Sequence, residues 1–494
     1  MPFADANSQL EPLLFAMKQY KNLTKSTIEI LPSSGQTNYG PNNKCIFTLP
    51  YASMISLEDL ALHFDFEGIQ GLTATDSFPS KRVVAPRDVA SLISEIDIKI
   101  NGQTIQHLTN YNDIVNLLNL FEDAKTAKKV LQGAGPAGAG SFPKKNGEWT
   151  DVTDYKYDSK VQNVNTDKIP YVINHWYGLL GHRGKQVSSN FIDTNMLGEV
   201  TIAFTFAEAN VCIVDDTNAD TASIKTAAQG YAHAVTTTDA TLTAELTAAR
   251  AEKTSYKLSD LKMSMVRYNL PMQYSEALAS NLSGGAKYQI AFDHYEIHSQ
   301  SALASKGTIR WNENSRDIKG LLAYFTDATR ANSIEPKTYD AAVETSPYFK
   351  YDNPIHKSSQ FQIGSVKMPQ NALTSTGAFL ELSRGLPGVR GNNVEFYNKV
   401  TSVGHWLQSY FMAYLSLEMT EGMTDVANGG KKLLSGLSSE QLPISCSYEY
   451  NNDMSFGGTM VSGGAPTWNK NVNVMSLTTR VLVIENGQSC YVEI

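Results

Sequence analysis

The stretch that decides the fold is Leu92 to Phe121, LISEIDIKINGQTIQHLTNYNDIVNLLNLF. Its first part alternates isoleucine with polar residues, the period of a half-buried strand, at Ile96, Ile98 and Ile100. Asn101-Gly102 then supplies two residues that tolerate positive φ in a tight hairpin turn. A return strand over Gln103 to Leu108 is expected to follow. The stretch therefore predicts one corner of a β-rich domain.

Behind the hairpin, apolar residues recur at helical spacing and predict a short helix laid across the two strands. Asn110 is the expected N-cap, because an asparagine side chain can accept a hydrogen bond from the first turn. The apolar face of this helix consists of Tyr111, Ile114, Val115, Leu118 and Phe121. Every other strong signal in the chain also indicates β structure and none indicates catalysis, so the function is to be sought in the architecture.

The bulk composition is that of a folded protein with more than one core. The chain has 494 residues, of which 42% are hydrophobic and 18% charged, which fits two or three domains. Its formal net charge of −8 argues against a surface that binds nucleic acid by neutralising phosphates. Neither a signal peptide nor an apolar segment long enough to span a membrane is visible. The cysteines lie far apart in apolar stretches and are expected to be buried free thiols: Cys45, Cys212, Cys446 and Cys490.

Residues 1–25 are predicted to form a separate N-terminal helical arm. Leu10, Leu13 and Leu14 share one face of this helix and Phe15 lies beside it, yet so short a helix has little core of its own. Three alternatives stay open, namely docking on a neighbouring molecule, docking on a membrane surface, and packing on its own domain. The four apolar residues are therefore candidate assembly contacts.

The rest of the chain runs twice through short strands, turn residues and long polar or glycine-rich loops. We predict a first jelly roll over 26–270 with loop insertions at about 124–167 and 212–254, a connecting helix over 271–285, and a second jelly roll over 286–494. Because strands do not alternate regularly with full-length helices, a parallel βαβ sheet is disfavoured. The predicted fold class is all-β, with two consecutive eight-stranded jelly-roll sandwiches and short helices.

Three local predictions concern the second jelly roll. The segment TIRWNENSRDIKGLLAYF, residues 308–325, is predicted to be a strand that runs into a helix-like turn. Gly377 to Glu381 is a short apolar element. The last 24 residues predict a hairpin around Asn486-Gly487.

The search for chemistry finds one metal-like group. The chain lacks a phosphate-binding loop and a nucleophile elbow. His294, Glu296 and His298 would share one face of a strand, and two histidines with a carboxylate are competent zinc or iron ligands. The opposite face, which includes Tyr295 and Ile297, is at least as suited to burial, and the three groups would then lie in solvent. We therefore expect no catalytic residue, no metal and no cofactor.

Three blocks of sequence carry a resemblance to a known family. They are the opening stretch, then Gly178–Gly181 with Phe191–Gly198 and the apolar strand that follows, and the junction Leu261–His298. In these blocks and in its organisation the chain resembles the double jelly-roll major capsid proteins of tailless icosahedral viruses. That family includes the proteins of adenovirus-type and Polinton-like viruses and of membrane-containing phages.

The resemblance implies a structural protein of the virion. Such proteins form homotrimers whose six jelly rolls make a pseudo-hexagonal capsomer, and these capsomers tile an icosahedral shell. The loop insertions would then be outward towers or clasps between subunits, and the N-terminal arm would lie beneath the shell. The implied partners are copies of the chain, minor capsid or penton proteins, and an internal membrane, without sequence-specific binding of nucleic acid. The protein would be made in the host cytoplasm.

Two other classes of protein stay open. A carbohydrate-binding protein or hydrolase with two jelly rolls would line a sugar groove with aromatic residues such as Trp149, Trp176 and Trp311. A minor virion protein, such as a penton or spike, would also use jelly rolls but often only one. A stable homotrimer would favour the major capsid protein over the first of these.

Overall fold

The computed structural model describes most of two β-sandwiches. The described residues are 24–51, 54–69, 82–121, 168–181, 191–215, 254–269, 276, 280–281, 284–285, 287–302, 306–331, 334–338, 345–351, 356–390, 410–418, 436–439, 442–450, 470–485 and 489–493. The predicted N-terminal helix, the insertion at 124–167 and most of the insertion at 212–254 lie outside them. Within the described part of the chain, no helix is both long and apolar enough to cross a lipid bilayer.

The first sandwich contains twelve strands and two short helices. In chain order they are β1 (Thr24–Ile30), β2 (Asn38–Tyr39), β3 (Lys44–Thr48), β4 (Met54–Ile69), β5 (Arg82–Val84), β6 (Ile93–Ile100), β7 (Gln103–Leu108), α1 (Tyr111–Leu118), β8 (Lys168–Ile173), β9 (Phe191–Asp193), α2 (Thr194–Leu197), β10 (Val200–Phe206), β11 (Ile213–Asp215) and β12 (Ser255–Asn269). One sheet has the order β1-β12-β4-β8, with β2 beside β12 and β9 beside β4. The facing sheet has the order β3-β10-β6-β7.

The second sandwich is built in the same way. Its elements are β13 (Tyr288–Ala302), β14 (Lys306–Asn312), β15 (Ile318–Asp327), β16 (Lys337–Thr338), β17 (His356–Ile363), β18 (Val366–Leu373), α3 (Ser375–Arg390), β19 (Met412–Ser416), β20 (Pro443–Tyr450), β21 (Lys470–Glu485) and β22 (Ser489–Glu493). One sheet has the order β13-β21-β15-β19, with β22 beside β21, and the other has the order β14-β20-β17-β18.

The two sandwiches share one topology. When the eight main strands of each are counted along the chain, both have one sheet ordered 1-8-3-6 and one ordered 2-7-4-5. In both, a helix stands between the fifth and sixth strands, α1 in the first sandwich and α3 in the second. All pairings within these four sheets are antiparallel, as a jelly roll requires. The predicted fold class is confirmed.

The opening stretch forms as predicted, with one exception. The isoleucines of β6 face the core, Asn101 and Gly102 turn with positive φ, and β7 returns beside β6. Every residue of α1 is buried. Asn110, however, is not a side-chain cap: its φ of 51° is left-handed and its side chain makes no capping hydrogen bond. Instead, its carbonyl oxygen accepts from the amide of Asp113.

Other local predictions need correction. The residues predicted to be a helix-like turn after Trp311 are strand β15, which is buried along nearly its whole length. The apolar element Gly377 to Glu381 is part of the 16-residue helix α3. Residues 24 and 25, assigned to the helical arm, belong to β1, and the stretch predicted as a loop insertion at 212–254 contains strand β11. The closing hairpin is confirmed in its two strands, which pair in register, while its turn residues lie outside the described part.

Of the predicted connector, only a few residues are described. Glu276, Ser280 and Asn281 are helical, and a turn follows at Gly284 and Gly285, where Gly285 has a φ of +89°. The amide of Gly284 donates to the carbonyl of Ser280 over 2.9 Å.

Candidate functional site

The three candidate metal ligands, His294, Glu296 and His298, lie on β13, where they contact different side chains. His294 is buried, and its Nδ1 lies 3.3 Å from Nε2 of Gln106 in the first sandwich. The Nε2 of His298 is 3.9 Å from a carboxylate oxygen of Glu296, and its ring stacks on Trp311. The other carboxylate oxygen of Glu296 lies 3.7 Å from Arg480. Among the described residues, no three His, Cys, Asp or Glu side chains are grouped closely enough to hold a metal ion.

Burial on β13 differs from the sequence expectation in one respect. Tyr295 is buried as expected, and its ring meets Tyr177 of the first sandwich edge to face, with 6.1 Å between centroids. His294 on the opposite face is also buried rather than in solvent, because this part of β13 is covered on both faces. Burial lowers the pKa of His294 to about 3, so its imidazole is neutral at physiological pH.

Two of the three tryptophans proposed to line a sugar groove, Trp176 and Trp311, are part of the core. The indole ring of Trp176 stacks on Phe204 at 5.3 Å, and its Nε1 donates to the carbonyl of Leu60 over 2.9 Å. Trp311 is 8% exposed, and its ring is covered by His298. Trp149 lies outside the described residues. Neither described tryptophan is available to a sugar.

All four cysteines are buried and free, which confirms the sequence prediction. Burial raises the pKa of Cys45 and of Cys446 to about 12. A buried thiol with a raised pKa is a poor nucleophile and a poor metal ligand, so these cysteines pack the core.

The most elaborate polar arrangement lies between the two sandwiches, and we call it the inter-sandwich interface. Its first element is an ion pair between α1 and the turn after β15. The two guanidinium nitrogens of Arg330 donate to the two carboxylate oxygens of Asp113 over 3.1 and 2.6 Å. Tyr324 adds a hydrogen bond to the same carboxylate, and the guanidinium lies 4.4 Å from the ring centre of Tyr348. The bidentate geometry and these extra contacts offset part of the cost of removing both charges from water.

The second element is the side chain of Gln106, which is 1% exposed. Its Nε2 donates to the carbonyl of Asp293 over 3.1 Å and lies beside His294. Its Oε1 accepts from the amide of Leu179 over 2.8 Å. A Cβ atom at Gly178 would lie 2.5 Å from Oε1, so glycine is needed where the backbone passes this amide. Gln106 thus holds β7, the 178–181 turn and β13 together.

The third element is a small sheet made from both sandwiches. Strand β11 pairs antiparallel with β5 of its own sandwich and parallel with β16 of the second. Beside it, the hydroxyl of Ser346 donates to the carbonyl of Asn210 over 2.9 Å, and the hydroxyl of Thr345 accepts from the amide of Arg87 over 3.1 Å. The sandwiches are therefore joined by backbone pairing as well as by side chains.

Sequence reasoning missed this interface almost entirely. It assigned no joining role to Gln106, Asp113 or Arg330, and its assembly candidates Leu10, Leu13, Leu14 and Phe15 lie outside the described residues. The only available signal was Asp113, the one charged residue of the helix that follows the opening hairpin. Nothing in the sequence points to Arg330 as its partner.

Neither a protein-family model nor a curated protein matches the chain. Solved structures match it over nearly its whole length. The crystal structure of PBCV-1 VP54, fitted into a cryo-EM reconstruction of the virophage Sputnik, has a TM-score of 0.55 at 12% sequence identity and covers 96% of this chain and 98% of that one. The quasi-atomic model of the PBCV-1 virus capsid has a TM-score of 0.53 at 13% identity, with the same coverage.

This likeness, together with the strand orders, defines the class of structure. The chain is an all-β protein of two fused sandwiches with the same topology. The fold is the double jelly roll, and the chain shares it with PBCV-1 VP54.

Proposed function

We propose that this chain is the major capsid protein of an icosahedral virus. In this role it forms homotrimers whose six sandwiches make a pseudo-hexagonal capsomer, and the capsomers tile the shell of the virion. The observation that carries the proposal is the fusion of two sandwiches of identical strand order through a buried interface. The likeness to a virus capsid protein over nearly the full length of both chains supports it.

The chemistry of the described residues suits a building block rather than a catalyst. The histidines of β13 are buried or stacked, the cysteines are buried, and the ion pair of Asp113 joins two parts of the fold. Trimer formation would cover strand edges that otherwise invite aggregation. A net charge of −8 suits a shell that encloses a genome without sequence-specific binding of it.

The remaining parts of the proposal concern segments outside the described residues. The N-terminal arm, through Leu10, Leu13, Leu14 and Phe15, would contact adjacent capsomers or an internal membrane beneath the shell. The insertion at 124–167 and the greater part of that at 212–254 would form outward towers or clasps. Minor capsid or penton proteins would complete the particle, and the chain would be made in the host cytoplasm.

The test is the state of the purified full-length protein. Size-exclusion chromatography with light scattering should give three times the chain mass, and electron microscopy of the assembled protein should show hexagonal units in a closed shell. A stable monomer with no larger species would overturn the proposal. If electron microscopy instead located the protein only at the vertices of the particles, the penton or spike alternative would be supported.

A further inference from the structure

The turn between the second and the third main strand differs between the two sandwiches. In the first sandwich, β3 is followed directly by Leu49, which is 4% exposed and belongs to the hydrophobic core. In the second, β14 is followed directly by Glu313, which is 6% exposed. The strand orders of the two sandwiches are the same. A carboxyl group therefore stands at the place in the chain where the first sandwich has an aliphatic side chain.

The side chains around Glu313 leave its carboxyl group without hydrogen bonds. The hydroxyl of Ser476 and the indole of Trp311 lie close to it, yet neither carboxylate oxygen has a partner of good geometry among the described residues. The Nε1 of Trp311 and the Nε of Arg480 are likewise buried without such a partner in the described part of the chain. Burying a polar group without a hydrogen bond is costly, and burying an unpaired charge is more so.

The charged groups around Glu313 do not neutralise it. Glu296 of β13 repels a negative charge on its carboxyl group, and Arg480 of β21 attracts one. The guanidinium of Arg480 also lies 3.7 Å from Glu296, so two carboxylates share one positive charge. The ring of His298 stacks on Trp311, and burial lowers the pKa of this imidazole, so it is neutral near pH 7. In the first sandwich, the paired first and eighth strands carry apolar residues instead: Ile28, Ile30, Met263 and Met265.

Glu313 begins the segment that carries the chain from one sheet of the second sandwich to the other. We call this segment, residues 313–318, the Glu313 corner. At its start, the carbonyl oxygen of Glu313 accepts from the hydroxyl of Ser439 over 2.7 Å. At its end, Ile318 and Leu437 exchange two backbone hydrogen bonds of 2.9 and 3.0 Å. The carboxyl group of Glu313 therefore reaches water only if the corner moves.

We propose that the Glu313 corner is a proton-dependent latch, which closes the second sandwich while Glu313 is protonated and opens between β13 and β14 when the proton leaves. A protonated carboxyl group is neutral and can remain where it is. An ionised one adds a second negative charge beside Glu296, and movement of the corner brings that charge to water. The first sandwich has Leu49 at the equivalent place and stays closed. This inference concerns the single chain and does not depend on the proposed function.

The opening is expected to follow pH in the range around neutrality. Burial raises the pKa of Glu313 from 4.5 to about 7 in the closed form. Once the corner opens, the solvated carboxyl group has its ordinary pKa and releases its proton more readily. The equilibrium constant for opening should therefore rise about tenfold per pH unit between about pH 5 and 7 and level off above that range.

Two native cysteines can report the opening of each sandwich separately. Cys446 of β20 pairs with Ile309 of β14, the strand that leads into the Glu313 corner, and Cys45 lies on β3 of the first sandwich. Both thiols are buried, so a thiol reagent modifies each one only after local opening. The ratio of the two labelling rates, Cys446 to Cys45, removes the pH dependence of thiol reactivity itself. In the full-length protein, mass spectrometry of the labelled peptides should show this ratio rising with pH as the opening constant does.

Three variants assign the rise to Glu313. In Glu313→Gln, which has no carboxyl proton to lose, the rise should be absent. His294 and His356 are the same in both proteins, so comparison of the two curves isolates Glu313. Glu449→Gln is the matched control and should behave as the wild type, because this acid of β20 pairs with lysines instead: Lys306 and Lys357. Glu296→Gln removes a charge that raises the pKa of Glu313, so its curve should level off at a lower pH.

The latch would be overturned by a wild-type curve that coincides with that of Glu313→Gln. An unshifted curve in Glu296→Gln would overturn it as well. Should Glu313→Gln not fold, Glu313→Leu takes its place, since it gives the second sandwich the residue type that the first has at Leu49. If neither variant folds, the shift in Glu296→Gln decides.

Discussion

Asp113 and Arg330, 217 residues apart in the chain, form a bidentate ion pair that joins the two sandwiches. Asp113 is 1% exposed, and the guanidinium of Arg330 is shielded by Tyr348. The attraction between the two charges raises the pKa of Arg330 against the opposing effect of burial. The guanidinium of Arg330 therefore keeps its positive charge at neutral pH, where it pairs with the carboxylate of Asp113.

Removing one member of this pair should be costly. Asp113→Ala leaves the guanidinium buried without its partner and should lower the free energy of unfolding by about 3–5 kcal/mol. Chemical denaturation of the purified protein measures this loss. Lys44→Ala is the matched control, since Lys44 pairs with Asp97 at 3.6 Å on the surface and an exposed pair contributes at most about 1 kcal/mol. Equal effects of the two variants would contradict a special role for the buried pair.

Replacing both members of the pair should cost much less than removing one. In the double variant Asp113→Leu with Arg330→Met, no charge is left buried, so the loss of stability should be smaller than in Asp113→Ala. A double variant that is less stable than the single one would show that the hydrogen bonds of this site, rather than the unpaired charge, dominate.

Alanine variants of Gly178 and Gly102 can separate the effect of a steric contact on stability from the effect of backbone strain. Both have positive φ, +84° and +79°, so Ala at either position costs about 1–2 kcal/mol. Only at position 178 would the new Cβ meet Gln106, whereas at position 102 nothing lies within 4 Å. Gly178→Ala should therefore cost a further 1–3 kcal/mol, about the penalty for overpacking. Thermal unfolding of the two variants measures the difference, and equal shifts in melting temperature would refute the close contact.

The stability of the second sandwich should depend on pH through Glu313. Burial raises the pKa of Glu313 from 4.5 to about 7, Glu296 adds to the rise, and Arg480 opposes it. Neither carboxylate oxygen has a hydrogen-bond partner of good geometry. The folded protein therefore holds a proton that the unfolded chain releases. The contribution of Glu313 to stability is full below about pH 4.5 and falls as the pH rises to about 7, by roughly 3 kcal/mol.

The variant Glu313→Gln tests this because the amide has the same shape and does not titrate. As the pH rises from 5 to 8, the wild type should lose stability relative to the variant in chemical denaturation. His294 and His356 act in the opposite direction, since burial lowers both pKa values and their contribution is lost as the pH falls below 6.5. They act equally in both proteins, so the difference between the curves isolates Glu313. If the two proteins gave parallel curves of stability against pH, folded Glu313 would not hold the predicted proton.

Deletion of residues 1–20 tests the proposed arm. The described sandwiches begin at Thr24, so the truncated protein should keep its fold and its trimer while losing the ability to form closed shells. Light scattering measures the first property and electron microscopy the second. Normal particles from the truncated protein would remove Leu10, Leu13, Leu14 and Phe15 from the assembly contacts.

The parts of the fold that could be predicted from sequence are those with a local period. The alternation in β6, the turn at Asn101-Gly102 and the spacing in α1 are each encoded within a few residues. Strand β15 could not be distinguished from a helical segment, because residues 321–325 (LLAYF) are a continuous apolar run and both faces of the strand are buried. Helix α3 was not predicted, because it contains Pro387 and three glycines and both residue types are poor helix formers.

The inter-sandwich interface was unpredictable for a different reason. Its partners, such as Gln106 with Asp293, lie 187 residues apart and are brought together only when both sandwiches are complete. Neither residue has a neighbour in sequence that indicates its role. Single-sequence reasoning therefore reached the two sandwiches but not the pairs of polar residues that join them.

The joined sandwiches have a consequence for the particle. Within the described chain, the ion pair of Asp113, the amide of Gln106 and the sheet of β5, β11 and β16 fix the angle between the sandwiches at three separate points. A molecule held in this way does not bend along its own length. In the shell that we propose, curvature then arises from the angles between neighbouring capsomers, so particle diameter is set at those boundaries and by the partners that occupy them.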